Sequence, residues 1–456
     1  MIPATVPPLL LPHTRLAIYA LLMAFTLLSP SAWANTDQTA AIQQVQANWW
    51  QAFQDPLLDH LVAELVSQNI DIQIAKARLI ETRSYQKSTA ADFLPNISGH
   101  VALSRGNRAR LTPETFFEAG FDTAWEIDVF GGIQAELDAV DAQVVFRRAG
   151  VDDAVQIVVA DLARAVVTWR GARETIHNLN RLLKIQEDHI RLLEAKIKSG
   201  LTNTVALEEA KSVRAQTLTM MSTATTQMGT ARYQIERLLN DKTEQTEAIL
   251  KTHTAFQRTL PSLKNLGETS LESLKSRPDV RMAKASLLAY TAQLKEAETS
   301  LWPTLTLSSF LGLQSGSEGL WLDENPSWSL GAAINSPVFD FGRLRGAIEA
   351  ADARSLEALL VYENTLNFAL QETKTAFSDY LNGQNTIEKQ ADILRSRAAT
   401  VDIEKARFEN GLTDMIPVSI AKAAYIHANL SMIQHNTEQA IAYIHLQKAL
   451  GLTLPH

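Results

Sequence analysis

The chain of 456 residues contains no cysteine. A disulfide framework, a thiolate metal site and a thiol nucleophile are therefore excluded. Net positive charge is also missing: 42 Lys and Arg against 50 Asp and Glu leave a formal charge of −8, the opposite of the clustered basic face that nucleic acid requires. The single tight basic cluster is Arg105, Arg108 and Arg110. The ten histidines are scattered, with no His-Glu-x-x-His pair and no glycine-rich phosphate loop. His427 and His435 lie eight apart without a carboxylate at ligand spacing. No catalytic site, cofactor or metal is expected. Nor does any stretch supply the roughly 20 consecutive apolar residues of a transmembrane helix.

The N-terminus carries Arg15, an apolar run from Leu16 to Leu28, and Ala32-Trp33-Ala34, which has the form of a signal-peptidase site. Residues 1–34 are expected to be a signal peptide that exports the chain. With no cysteine after the cleavage site, no N-terminal lipid anchor is expected.

In Phe117–Val129 the positions Phe117, Ala119, Phe121, Trp125, Ile127 and Val129 are apolar, while Glu118, Asp122, Glu126 and Asp128 are charged. Strand side chains alternate between faces, so this segment predicts an oily face and a row of carboxylates. Its length suits a tilted strand crossing an outer membrane, with the carboxylates toward a wet lumen. Ile97 to Leu103 alternates as well and makes the segment 97–129 a β-hairpin, with the arginine cluster in its loop. Helical spacing precedes it from Leu57 to about Phe93, broken at Asn69. The stretch Asn35 to Pro56, with Trp49, Trp50 and Phe53, reads as an irregular lead-in.

No proline occurs between Gly132 and Pro261, and helix formers run from about Ile133 to Ser199. Such a helix would be about 100 Å long, far beyond the needs of a globular domain. Leu183, Ile190 and Ile197 recur every seven residues, with Leu179 and Leu193 beside them, as in a coiled coil. Gly200 ends the helix, Leu201-Thr202-Asn203 reverses the chain, and a second helix runs to about Asn240. This gives a helical hairpin over 131–240 and a polar segment, 241–276.

The pattern then repeats. Asp71 to Ala77 matches Asp279 to Ala285, and Pro95 matches Pro303, both at an offset of 208. Beyond the hairpin the offset is 211, relating Phe130-Gly131 to Phe341-Gly342 and Gly200-Leu201-Thr202 to Gly411-Leu412-Thr413. The alternation survives in phase through Leu305, Leu307, Leu311 and Leu313, then Trp328, Leu330, Ala332 and Ile334. Residues 35–276 and 277–456 thus read as two structural repeats, the second with a β-hairpin over 305–339 and a helical hairpin over 342–450. Four strands cannot close a membrane barrel, whose smallest examples have about eight, so oligomerisation is expected and three copies would supply twelve.

The Phe-Gly after an acidic-aromatic strand, Arg277-Pro278-Asp279-Val280, Pro337-Val338-Phe339-Asp340-Phe341-Gly342 and the paired Gly-Leu-Thr turns together resemble the TolC-like outer-membrane efflux channels, in their NodT/OprM-like branch. The resemblance spans the chain from Trp49-Trp50 to Ala449-Leu450-Gly451. It implies a mainly α fold with a membrane β-barrel: a homotrimer whose twelve-stranded outer-membrane barrel continues into a long periplasmic α-helical barrel with an equatorial belt. It further implies the exit duct of a tripartite pump for drugs or other small molecules, with a periplasmic adaptor and an inner-membrane transporter, of RND type, as partners beside outer-membrane lipid. An exit duct for type I protein secretion and a soluble periplasmic coiled-coil protein are the alternatives.

Many relatives carry a lipid-bearing cysteine that this chain lacks. Many also carry Val-Leu-Asp-Ala past the second helical turn, where this chain has Val418-Ser419-Ile420-Ala421. Ile420 in place of that aspartate leaves Asp414 as the nearby carboxylate, and Phe408 matches an aromatic position that relatives use in the periplasmic gate. A hydrophobic constriction is the expectation at Phe408, Asp414 and Ile420. The exposed tips Gly200, Leu201, Thr202 and Gly411, Leu412, Thr413 are the expected docking points for the adaptor.

Overall fold

The computed structural model describes residues 49–106, 114–240, 274–316 and 326–451. The leader, Arg108, Arg110, Trp321 and most of the segment 241–276 lie outside the described residues. Of the lead-in, the described part holds a 3₁₀ turn, Trp49–Phe53, with Trp50 and Phe53 buried, and residues 35–48 lie outside the described residues. Helix α1 (Pro56–Gln68) follows, started by Asp55, whose side chain accepts from the Leu57 N–H. Asn69 ends α1 and caps α2 (Ile70–Ala91) by accepting from the Asp71 and Ile72 N–H groups. One short polar side chain thus breaks the helix where the sequence suggests.

Strands β1 (Asn96–Gly106) and β2 (Glu114–Ile127) form the first hairpin. The 67-residue helix α3 (Gly132–Lys198) and α4 (Thr204–Leu239) come next. After α5 (Pro278–Thr299) the second hairpin is β3 (Thr304–Gly316) and β4 (Pro326–Asn335), and the chain closes with α6 (Arg343–Glu409), again of 67 residues, and α7 (Met415–Ala449). At about 1.5 Å per residue α3 and α6 each extend about 100 Å.

The four strands make one antiparallel sheet in the order β1-β2-β3-β4. Cross-strand partners lie on one face, so the register sorts the side chains. Val101 faces Ala119, Phe121 faces Leu311, and Leu311 faces Trp328. The face they share is apolar and exposed, with Val101 at 75%, Phe121 at 62% and Leu330 at 76% accessibility. Glu118, Asp122 and Glu126 occupy the opposite face, as the alternation predicts.

The strands are shorter than the sequence suggests, ending at Ile127 and Asn335 rather than 129 and 339. Two causes are visible. Pro337 has no N–H to donate to a ladder. Asp128 turns away from the sheet, and its carboxylate accepts from the Gln134 N–H in the first turn of α3 at 2.9 Å. The glycines just ahead of the long helices, Gly131 and Gly342, hold φ of 81° and 89°, the left-handed conformation that redirects the chain from strand to helix.

In the helical part, Leu179, Leu182, Ala224, Ile426 and Leu430 form a buried cluster shared by α3, α4 and α7. The buried line on α3 runs through Leu179, Leu182, Gln186 and Leu193, while Leu183, Ile190 and Ile197 are only half-buried. The seven-residue series marks the flank of the seam. A helix packed against two neighbours buries a line between them, unlike one strand of a two-stranded coiled coil.

The lead-in is locked to α3 by a buried ion pair. Arg170 Nη1 and Nη2 reach both oxygens of Asp55, at 2.7 and 2.8 Å, and both side chains are under a tenth exposed. Removing one partner strands a desolvated charge, which costs about 3–5 kcal/mol. Arg170→Ala is therefore expected to lower the thermal midpoint of helix loss in far-UV circular dichroism by several degrees. An unchanged midpoint contradicts a structural role for the pair.

Candidate functional site

Two regions collect the residues singled out in the sequence: the polar face of the sheet and the tips of the helical hairpins. On the sheet, the register places His100 of β1 opposite Gly120, between Glu118 and Asp122. His100 Nε2 lies 2.7 Å from Glu118 Oε1, and its Nδ1 makes a 2.5 Å ion-pair contact with Asp122 Oδ2 that is not aligned as a hydrogen bond. The network crosses to the other strands: Gln314 Nε2 donates to Glu118 Oε2 at 2.6 Å and Ser327 Oγ donates to Gln314 Oε1 at 2.9 Å.

Beside this network the Phe310 ring lies over the paired Gly120 and Gly312, where an added Cβ on Gly120 would stand 2.6 Å from Phe310 Cε2. Its centroid is 5.9 Å from that of His100. Glu126 stands apart, exposed and opposite Thr306. Of the four carboxylates expected in one row, two share a histidine, one is separate, and Asp128 is a helix cap outside the strand. His100, Phe310, Gln314 and Ser327 were not anticipated, because nothing short of the register brings them to Glu118 and Asp122. The alternation of Ile97, Val101 and Leu103 puts His100 on the polar side of its strand.

At the tips the two hairpins use the same device. The Leu201 N–H donates to Lys196 O and the Gly200 N–H to Ile197 O; the Leu412 N–H donates to Arg407 O and the Gly411 N–H to Phe408 O. Gly200 and Gly411 have φ of 69° and 71°. This is the Schellman ending, which satisfies the last carbonyls and needs a residue at ease in the left-handed region. The returning helices are capped alike, Asn203 accepting from the Val205 N–H and Asp414 from the Ile416 N–H. The motif often folds an apolar residue back onto its own helix. Here Leu201 and Leu412 remain 73% and 71% exposed, and the helix positions they would cover include Lys196 and Arg407. Thr202 and Thr413 are half-buried.

Asp414 also forms an ion pair with Lys196, tying the second hairpin's return helix to the end of α3. The Lys196 ammonium and then the Ile416 N–H hold its carboxyl below the usual carboxylate range. Phe408 and Ile420 are both exposed, while Val418, Ser419 and Ala421 are buried. Among the described residues no group of His, Cys, Asp or Glu is placed to hold a metal ion, and no helix is long and apolar enough to cross a membrane.

The profile of one family, described as outer membrane efflux protein, matches residues 61–241 and 270–452, most of the chain. The chain belongs to the outer membrane efflux protein family. It is 23% identical over 427 residues to the toluene efflux pump outer membrane protein TtgF of Pseudomonas putida, covering 92% of this chain and 88% of that protein. It is 23% identical over 416 residues to the cation efflux system protein CusC of Escherichia coli K12, covering 90% of each. Among solved structures the outer-membrane channel OprN superposes with a TM-score of 0.79 at 27% identity, covering 88% of this chain and 92% of that one. As a family member the chain is an outer-membrane protein, the exit duct of an efflux pump, with its long helices in the periplasm. The relatives are channels and pump components. A soluble coiled-coil protein is set aside by this membership.

Because the Asp414 carboxyl titrates lower in the folded chain, its contribution is present above the ordinary carboxylate pKa and fades as pH falls through the lowered one. Asp414→Asn removes both the charge and the ion pair to Lys196. At pH 7 it is expected to speed proteolytic cleavage near residues 410–415 severalfold. Equal cleavage rates in the two proteins contradict the tie.

Proposed function

We propose that three copies of the chain close a twelve-stranded barrel in the outer membrane, continued by a periplasmic tube of helices. The tube receives small molecules from an inner-membrane transporter of RND type through a periplasmic adaptor. The observation that carries this reading is the open four-stranded sheet with one predominantly apolar, exposed face, interrupted at mid-height by Thr123 and Ser309. A sheet edge cannot stand in lipid with its N–H and C=O groups unpaired, and only closure by further copies removes both edges. The two repeats per chain then give a wall of near-sixfold regularity.

No cofactor or metal is part of this reading. The cargo is small, in keeping with relatives named for toluene and cation efflux. Relatives with different cargoes share the duct, so the choice of cargo rests with the transporter.

Three regions have stated roles. Leu201 and Leu412, with their flanking Gly and Thr residues, present six apolar tips to the adaptor. Phe408 and Ile420 form a hydrophobic constriction near those tips, with Asp414 committed to its cap and to Lys196 rather than to a free acidic ring. The polar sheet face lines the lumen, where threefold repetition turns Glu118, Asp122 and Glu126 into rings that favour cations.

Leu201→Glu with Leu412→Glu is expected to leave the protein in the outer membrane but to abolish efflux and adaptor cross-linking. Full efflux with normal cross-linking places docking elsewhere. In planar bilayers the reversal potential is expected to show cation preference at neutral pH, and His100→Ala, which removes the imidazole held between Glu118 and Asp122, is expected to increase it. Anion preference, or a preference indifferent to His100, contradicts the lumen assignment.

A further inference from the structure

Phe310 brings an aromatic ring to the middle of the polar sheet face. The register lines up Ser98, Asp122, Phe310 and Ser329 across the four strands, with Asp122 and Phe310 directly opposed. Side chains so opposed stand about 4.5–5.5 Å apart at Cβ. The half-buried ring therefore stands beside a carboxylate, with a short serine on either flank. Among the described residues of the four strands the sole Lys or Arg is Arg105, and the alternation puts it on the apolar face. No lysine or arginine of the strands competes for Asp122.

Covering the Gly120–Gly312 pair accounts for where the ring lies, but not for the carboxylate opposite it. Cross-strand pairs that stabilise a sheet join aromatic to aromatic or β-branched residues, or join opposite charges. Asp122 with Phe310 does neither. The corresponding positions of the other repeat lack both groups: the offsets of 208 and 211 carry Phe310 back to Ala102 and Asp122 forward to Ala333. The carboxylates do not converge on one point as a metal cage would, because the His100 imidazole stands between Glu118 and Asp122. Asp122 meets His100 through Oδ2, while its Oδ1 has no partner among the described residues and the side chain is 48% exposed.

On the reading that this face lines the lumen of the proposed trimer, we infer that Phe310 and Asp122 form a transit site for organic cations, taking an ammonium group carried on an apolar body. The ring's quadrupole attracts the cation and the carboxylate supplies the opposite charge. An alkylated ammonium can use both at once, its apolar body against the ring and its charge toward Asp122 Oδ1. Contact at so open a site is weak, which suits conduction, since cargo must leave as well as enter.

The test is block of the KCl current through the intact protein in planar bilayers by benzyltrimethylammonium, a permanently charged probe. The wild-type channel is expected to be blocked in a concentration-dependent way, and benzenesulfonate, of similar size and opposite charge, is expected not to block. Phe310→Leu keeps an apolar side chain and loses the π-system, so it is expected to weaken the block about fivefold, while Phe310→Tyr retains it. Asp122→Asn is expected to weaken the block through charge alone, leaving the ring on Gly120 and Gly312, and so serves if Phe310→Leu fails to assemble. A conducting wild-type channel that the probe does not block, equal block by benzenesulfonate, or block that either substitution leaves unchanged overturns the site and leaves the duct standing. A protein that forms no conducting channel overturns the lumen reading and the site with it.

Discussion

A β-sheet edge in hydrocarbon is the constraint on which the rest of this molecule depends. Inside a bilayer no water is available to the outer N–H and C=O groups of β1 and β4, and each unsatisfied group costs several kcal/mol. Among the described residues there are four strands, all antiparallel and in sequence order, with one mainly apolar face. In the proposed trimer the chain's sheet is a sector of a wall. Each strand adjoins a helix at one end, so in the proposed assembly the tube of helices would keep the circumference that the barrel sets.

That geometry explains features with little to do with an ordinary globular core. Helices α3 and α6 are 67 residues each and bury alanine, at Ala135, Ala139 and Ala142 on α3 and at Ala351, Ala358 and Ala369 on α6, where close approach between neighbouring backbones is needed. Polar side chains sit inside this wall and are partnered. Gln186 Nε2 donates to Thr217 Oγ1 at 2.9 Å, and Asn429 Nδ2 donates to Asn178 Oδ1 at 2.9 Å. Arg277 ties the start of α5 to the end of α7, donating to Asp279, to Glu372 and to the Ala449 carbonyl. The two repeats are joined in the sheet through the β2–β3 pairing and again at the hairpin ends through Lys196 and Asp414, while Arg277 fastens the start of the second repeat to its own end.

Much of this was legible in the residue pattern because periodicity and punctuation are local. Alternation from Phe117 to Ile127 reports a two-faced strand, and the glycines at 200 and 411 report a reversal that needs positive φ. Asn69 reports a helix break through its own side chain. What was not legible depends on pairing across the chain. His100 lies eighteen residues from Glu118 and reaches it only through the β1–β2 register, and Phe310 finds Gly120 only through β2–β3. Asp128 reads as the last member of an acidic row, yet the start of α3 claims it as a cap. The heptad of Leu183, Ile190 and Ile197 misplaces the seam by a fraction of a turn, because two helices rather than one pack on α3. A hydrophobic pattern marks an apolar stripe, and the number of neighbours decides where its centre falls.

The central claim is that this chain is one third of a closed duct. Native mass measurement of the protein extracted intact from outer membranes tests it most directly, since a sheet of four strands has no way to close alone. An assembly of three chains is the result this account predicts. A stable, correctly folded monomer, fully inserted in the membrane, would contradict it.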